Sequence, residues 1–194
     1  MPIFAKAKPP RFLRPQEVKS LFAGLSQNLS SPIDLRTYAM LHLAYFLGFR
    51  PREISLIRLD DISFSRQELC INHRKNTNPL KLPLPEDTIK AIAAYIVGGR
   101  PKSEHRTLFL SLKAPFMPVT SGTVSHWIST WMRQLNLTST AYWLRHTYAQ
   151  NLLEVGISIY ELKEMLGHKN IESTRRYLHI HTNLMRKVLF DETV

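Results

Sequence analysis

Apolar residues recur at helical spacing soon after the start of the chain. Val18, Leu21, Phe22 and Leu25 fall on one face of a helix, and Pro15 suits its first turn. SQNLSSP reads as a loop. Leu35, Tyr38, Ala39, His42, Leu43, Phe46 and Leu47 then place one side of a second helix over about Asp34 to Leu47, ended by Gly48. Pro51 opens a short helix through about Ile57. There the period changes. Ile62–Phe64, Glu68–Asn72 and Leu80–Leu84 are short β-type runs between turn-forming residues. They predict a small antiparallel sheet with HRKNTNP as its turn.

Helical spacing returns at Ile89, Ile92, Ala93 and Ile96, and GGRPKSEHR reads as a loop. Val124, Trp127, Ile128, Trp131, Met132 and Leu135 form the most regular amphipathic pattern, which assigns both tryptophans to the core. Two further helices are predicted over about 140–155 and 158–166, with Gly156 and Gly167 at their C-terminal caps. Asn170 suits the N-cap of a helix carrying Ser173, Thr174 and Tyr177, and a last helix is placed over 182–189. No repeat or low-complexity segment interrupts the chain. The predicted fold is mainly α with a small antiparallel β-sheet (α+β). Residues 1–10, rich in Pro and Lys, read as an arm or linker, and 11–194 as one domain.

Composition narrows the partners. No apolar run approaches the roughly 20 residues needed to span a bilayer, and the N-terminus lacks the apolar stretch of a signal peptide, so a cytoplasmic protein is expected. The single cysteine, Cys70, can form no internal disulfide and reads as a buried small hydrophobe. Lys and Arg total 26 against 15 acids, a net charge of +11. Such an excess points to a polyanion, with nucleic acid ahead of an anionic membrane surface.

The stretch LRHTYAQNLLEVGISIYELKEMLGHKNIESTRRY, residues 144–177, gathers groups suited to phosphate. In one unbroken helix His168 and Tyr177 would be separated by about 13.5 Å, but Gly167 and Asn170 predict a break that lets the chain fold back. A phosphodiester undergoing exchange needs planar donors for its non-bridging oxygens, a role suited to Arg. It needs preorganised charge for its transition state, a proton for the leaving oxygen and a nucleophile, which a Tyr hydroxyl among cations supplies. Arg50, Lys75, Arg145, His168 and Tyr177 together would fill these places. Lys75 shares its predicted hairpin with Arg74 and Lys81. His179 and His181 make only two of the ligands a metal site requires and read as surface or interface residues.

Four segments, in order, resemble the catalytic domain of the tyrosine recombinases, the family of phage integrases and Xer-type enzymes. GFRPREISLIRLDDI resembles the first-arginine box and would make Arg50 catalytic with Glu53 orienting it. RKNTNPLKLPLP resembles the hairpin of the catalytic Lys, here Lys75. YWLRHTYAQNLLEVG resembles the second-arginine box, with Arg145. LGHKNIESTRRYLH resembles the nucleophile box, with His168 and Tyr177. The resemblance covers about residues 11–185. It departs at Tyr142, where the family usually has His three positions before the arginine. A Tyr can hydrogen-bond a phosphate oxygen but shuttles protons poorly near neutral pH. His146 lies about 100° around the helix from Arg145 and reads as no clear substitute.

What the resemblance implies is site-specific DNA recombination. Arg50, Arg145 and His168 would hold the scissile phosphate. Tyr177 would attack it to give a 3′-phosphotyrosyl link and a free 5′-hydroxyl, with Lys75 donating the proton. No cofactor, metal or small-molecule substrate is implied. The partner is double-stranded DNA, bound by a homo-tetramer on two sites, with the tail THTNLMRKVLFDETV passed between neighbours. The resemblance begins near Arg11, which leaves no room in this sequence for the separate N-terminal DNA-clamping domain of typical members. Two other readings stay open: a DNA-binding protein of the same fold that does not cut, and a nicking-closing enzyme of the type IB topoisomerase kind.

Overall fold

The computed structural model describes residues 11–26, 29–71, 80–137, 139–168, 170–175 and 177. Among them the order is α1 (Pro15–Ser26), α2 (Pro32–Phe46), α3 (Pro51–Leu56), a 3-10 turn (Leu59–Asp61), β1 (Ile62–Ser63), β2 (Glu68–Ile71), β3 (Leu80–Pro83), α4 (Glu86–Gly98), α5 (Ser121–Gln134), α6 (Ala141–Glu154), α7 (Ile159–Leu166) and α8 (Glu172–Arg175). The predicted mainly helical chain with one small antiparallel sheet is what forms. The predicted helix over 182–189 lies outside the described residues.

Helix α2 is the hub. Ser31 Oγ accepts the Asp34 N–H at 3.2 Å and Asp34 Oδ2 accepts the Ser31 N–H at 3.2 Å. This reciprocal capping box, followed by Pro32, starts the helix slightly earlier than the apolar spacing suggested. Its buried residues run Arg36, Thr37 and Ala39 through Ala44, which is more than one face. The reason is that α3, α4, α5 and α6 all pack against it, so beyond its exposed first turn α2 gives up little surface to water. The buried Arg36 is tolerated because its Nη1 donates to the Leu110 carbonyl at 2.9 Å and its guanidinium stacks over Trp127.

The sheet has the order β1-β2-β3, antiparallel throughout, with Leu69 opposite Leu82 and Cys70 opposite Lys81. Alternation across the pleat sends Leu69 fully into the core. Its neighbour Cys70 is only half-buried, not the core residue expected. The loop after α4 is held by Arg100, which donates to the carbonyls of His105, Thr107 and Leu108. Trp131 packs against the main core as predicted, whereas Trp127 is half-buried under the Arg36 guanidinium and not a member of that core.

The start of the described chain is tied to α6: the Leu13 N–H donates to Thr147 Oγ1 at 2.8 Å, and Arg11 lies over the Trp143 ring. Beyond the main core, a second and smaller apolar cluster gathers Ala149 and Leu153 of α6, Leu162 and Leu166 of α7, and Tyr177.

Candidate active site

Two sharp turns set the site. Gly48 ends α2 with φ +62°, a conformation open to glycine at no steric cost. The chain then reverses into α3, for which Arg50 is the N-cap residue. Glu53, three residues on, accepts the Arg50 N–H at 2.7 Å and the Arg50 guanidinium Nη1 at 3.0 Å. One carboxylate therefore caps a helix and fixes the direction of a guanidinium at once.

Arg145 projects from α6 toward the same carboxylate. Its Nη1 lies 3.6 Å from Glu53 Oε2 and donates to the Gly48 carbonyl at 2.5 Å. Its Nη2 donates to the Leu166 carbonyl at 2.6 Å. The side chain is 5% exposed, and a guanidinium so buried requires this set of acceptors to offset its lost hydration. Arg50 Nη1 lies 3.5 Å from the same Leu166 carbonyl, so the two guanidiniums are neighbours. Both cap the C-terminal end of α7, where orphan carbonyls and the negative end of the helix dipole favour cations.

The second turn is at Gly167, φ 61°, which closes α7 in the left-handed conformation expected of it. The turn brings His168 back to α6: its Nε2 is 3.2 Å from Arg145 Nη2, and its Nδ1 is 2.8 Å from the buried Thr174 Oγ1. Arg50, Glu53, Arg145 and His168, drawn from three places in the sequence, thus meet around one helix end.

Tyr177 is placed differently from the expectation. It follows α8 by two residues instead of lying within it, with its N–H donating to the Thr174 carbonyl at 2.9 Å. It therefore stays one short turn from the residue that holds His168. Its ring is 1% exposed, packed in the small apolar cluster. Its hydroxyl is hydrogen-bonded to His146 Nδ1 at 2.6 Å.

Sequence reasoning kept His146 only as a supporting residue, no clear substitute for the missing His, because it lies about 100° around the helix from Arg145. The same rotation turns it toward Tyr177, a relation 31 residues apart in sequence that no local pattern signals. Tyr142 stands at the head of α6, 53% exposed. Lys75, Arg74, His179 and His181 lie outside the described residues. Lys81 is exposed on β3. Among the described residues no group of three His, Cys, Asp or Glu side chains is placed to hold a metal ion, and no helix is long and apolar enough to cross a membrane.

Known proteins are similar to this chain over most of its length. The chain is 28% identical over 185 residues to the tyrosine recombinase XerC of Bacillus subtilis (strain 168), covering 91% of this chain and 59% of that protein. It is 32% identical to XerC of Anoxybacillus flavithermus (strain DSM 21510 / WK1), covering 93% and 61%. It therefore spans about three fifths of these curated relatives. Against the putative integrase/recombinase y4gC of Sinorhizobium fredii (strain NBRC 101917 / NGR234), at 27% identity, it covers 94% of this chain and 95% of that one.

Solved structures agree in fold. The XerA recombinase superposes with a TM-score of 0.75 at 20% identity, over 95% of this chain and 66% of that one. XerH in a post-cleavage complex with a palindromic difH substrate gives 0.76 at 17% identity, over 94% and 53%. Residues 11–183 match the phage integrase family, a span that takes in both arginines, His168 and Tyr177, and the chain belongs to that family.

Proposed function

We propose that this protein is a tyrosine-type site-specific DNA recombinase, cutting and rejoining DNA through a 3′-phosphotyrosyl intermediate. The observation that carries the reading is the meeting of Arg50, Arg145 and His168 at the C-terminal end of α7, with Glu53 between the arginines. Three cationic or hydrogen-bonding side chains held by carbonyls and one carboxylate form a preorganised receptor for a phosphodiester. Family membership supports the same reading, as do relatives described as tyrosine recombinases and the XerH complex with its DNA substrate.

In the proposed reaction Arg50, Arg145 and His168 grip the non-bridging oxygens of the scissile phosphate. The Tyr177 oxygen attacks phosphorus, its proton passing to solvent water. The bond to the 5′-oxygen breaks, and that oxygen takes a proton from Lys75 and leaves as a hydroxyl. The ester is exchanged rather than hydrolysed, so a 5′-hydroxyl from a second strand reverses the step and completes the joining. Glu53 positions both arginines. The charge is met by guanidinium, imidazole and ammonium groups of the chain itself. Residues 11–194 act as the catalytic domain. The double-stranded DNA partner is held by the chain's net +11 charge, and a homo-tetramer on two DNA sites is the working assembly.

The test is a nicked suicide duplex, in which the cleaved strand's short fragment diffuses away and strands the protein on DNA. Covalent adducts in denaturing gels that vanish in Tyr177→Phe support the reading. Retained duplex binding without any adduct would make this a DNA-binding protein of the fold that does not cut. Site-independent relaxation of supercoiled DNA would make it a nicking-closing enzyme. Binding itself should weaken steeply with salt, since phosphate contacts release counterions.

A further inference from the structure

The phosphate receptor contains one contact that a phosphate must undo. Arg145 Nη2 bears two hydrogens, and both have acceptors: the Leu166 carbonyl at 2.6 Å and His168 Nε2 at 3.2 Å. A guanidinium only donates. The second contact therefore needs a lone pair on Nε2, so the ring of His168 is neutral here and its one proton sits on Nδ1. Thr174 Oγ1, fully closed to solvent, stands 2.8 Å from Nδ1 and accepts that hydrogen bond. Which ring nitrogen is bare follows from the bond the other one makes. Thr174 thus turns the bare nitrogen toward the arginines.

A lone pair is the wrong group to offer an anion. A non-bridging phosphate oxygen is an acceptor, and so is bare Nε2, so the two repel at contact. The surrounding charges show how this is resolved. Among the described residues Arg145 lies against the ring, and Arg50 shares the Leu166 carbonyl with it. Glu53 sits between the arginines, 3.0 Å from Arg50 and 3.6 Å from Arg145. From α7, Lys163 gives its carbonyl to the His168 N–H, while its ammonium pairs with Glu164 at 3.0 Å. Past Thr174 along the chain, Tyr177 is hydrogen-bonded to His146. Two guanidiniums against one carboxylate disfavour a further positive charge on the imidazole. A phosphodiester adds a negative charge at contact distance and reverses that balance.

We propose that Thr174 is a positioning residue for His168: by taking the Nδ1–H it presents Nε2 to the receptor as a bare lone pair, and a bound phosphodiester draws one proton from solvent onto that nitrogen. The imidazolium then donates to the phosphate through Nε2 and to Thr174 through Nδ1. The Arg145 hydrogen that had been on Nε2 turns to the same phosphate. The inference rests on the reading that Arg50, Arg145 and His168 hold the scissile phosphate.

The test follows isotopically labelled histidine and arginine side-chain nitrogens by NMR in the whole chain. It is run at about pH 8, above the ordinary imidazole value near 6.5, with His168→Gln identifying the His168 signals. The probe is dimethyl phosphate, a phosphodiester with one charge that does not titrate near neutral pH. Free wild type should show His168 with Nδ1 protonated and Nε2 bare, and saturating dimethyl phosphate should protonate both. Thr174→Val removes the hydroxyl at nearly constant shape. In it the form with the proton on Nε2 should appear in the free protein. Trapping on the nicked duplex should slow about three- to tenfold, the worth of one hydrogen bond, because the imidazolium has lost the acceptor for its Nδ1–H. Thr174→Ser should restore both the spectrum and the rate.

A free wild-type ring that carries its proton on Nε2 would overturn the proposal, whether or not the valine variant folds. So would a bare Nε2 in wild type while dimethyl phosphate shifts the arginine signals, or a Thr174→Val spectrum identical to wild type. If dimethyl phosphate moves neither His168 nor any arginine and no adduct forms on the nicked duplex, the phosphate-receptor reading fails, and the free spectra still decide whether Thr174 sets the ring.

Discussion

Glu53 and Arg145 lie 92 positions apart in sequence and pair at 3.6 Å, the arginine all but closed to solvent. That carboxylate also takes both the main-chain N–H and the guanidinium of Arg50. Glu53→Ala removes the counter-charge of a buried cation together with a helix cap. Full loss of one partner of a buried pair costs about 3–5 kcal/mol. Here Arg145 keeps the carbonyls of Gly48 and Leu166, so a loss of about 2 kcal/mol is expected in urea unfolding. Covalent trapping should fall far more than duplex affinity, because what is lost is the direction of two phosphate donors. Equal losses in both would make Glu53 merely structural.

Gly48→Ala tests the turn that aims the first arginine. Gly48 sits at φ +62°, and an added Cβ would overlap Cδ1 of the Tyr148 ring and lie 2.9 Å from its Cε1. The left-handed conformation costs a residue with a side chain about 1–2 kcal/mol, and the overlap with a ring packed on α6 adds to it. The expected outcome is a destabilisation of about 2–4 kcal/mol with a marked loss of trapping, since the Gly48 carbonyl also receives Arg145. A variant as stable as wild type would show that Tyr148 moves freely aside.

The sequence carried much of this site, and the limits have physical causes. Gly48 and Gly167 announce the chain reversals beside Arg50 and His168, which is local chemistry, whereas Arg145 lies within α6 and was singled out through the resemblance of its segment to the second-arginine box. The burial of α2 on more than one face was not legible, because a spacing rule assumes one face in water and α2 is packed by four other helices. Cys70 was misplaced because strand parity is set by the partner strand, and pairing with Lys81 gives the core position to Leu69. The His146–Tyr177 bond was invisible because it depends on α7 turning back across α6, a matter of packing and not of spacing.

His42 gives a pH dependence that owes nothing to catalysis. It is 2% exposed, ringed by Phe22, Tyr38 and Phe46. Burial pushes its imidazolium down from 6.5 to about 4, against a weaker opposing pull from Asp87. The unfolded chain thus takes up the proton first as pH falls. Stability is lost between about 6.5 and about 4 and no further below that window. The loss attributable to this one group is about 3 kcal/mol, at 1.36 kcal/mol per pH unit. His42→Phe suits the aromatic surroundings and should flatten the curve by that amount in urea unfolding at pH 7 and pH 4. Parallel curves for the two proteins would mean that His42 is already charged when folded.

Tyr142→His addresses the one place where the family pattern is broken. Position 142 precedes Arg145 by three residues, so the two lie on neighbouring parts of the α6 surface, and Tyr142 is 53% exposed. Surface substitutions of this kind change stability within about 0.5 kcal/mol, so the readout reports chemistry and not folding. A phenol at this place donates a hydrogen bond to a phosphate oxygen but holds its proton too tightly to exchange it at neutral pH. An imidazole with an ordinary value near 6.5 does both. General acid–base assistance is worth about 10²–10⁴-fold when wholly new; because the phenol already supplies the hydrogen bond, a gain of about tenfold in trapping rate near pH 7 is expected. The rate should also acquire a dependence on pH around the imidazole's titration that the parent protein lacks, with duplex affinity unchanged. A variant that traps no faster, with a flat profile, would mean that the proton at this step comes and goes through other groups, Lys75 foremost, and that Tyr142 costs the site nothing.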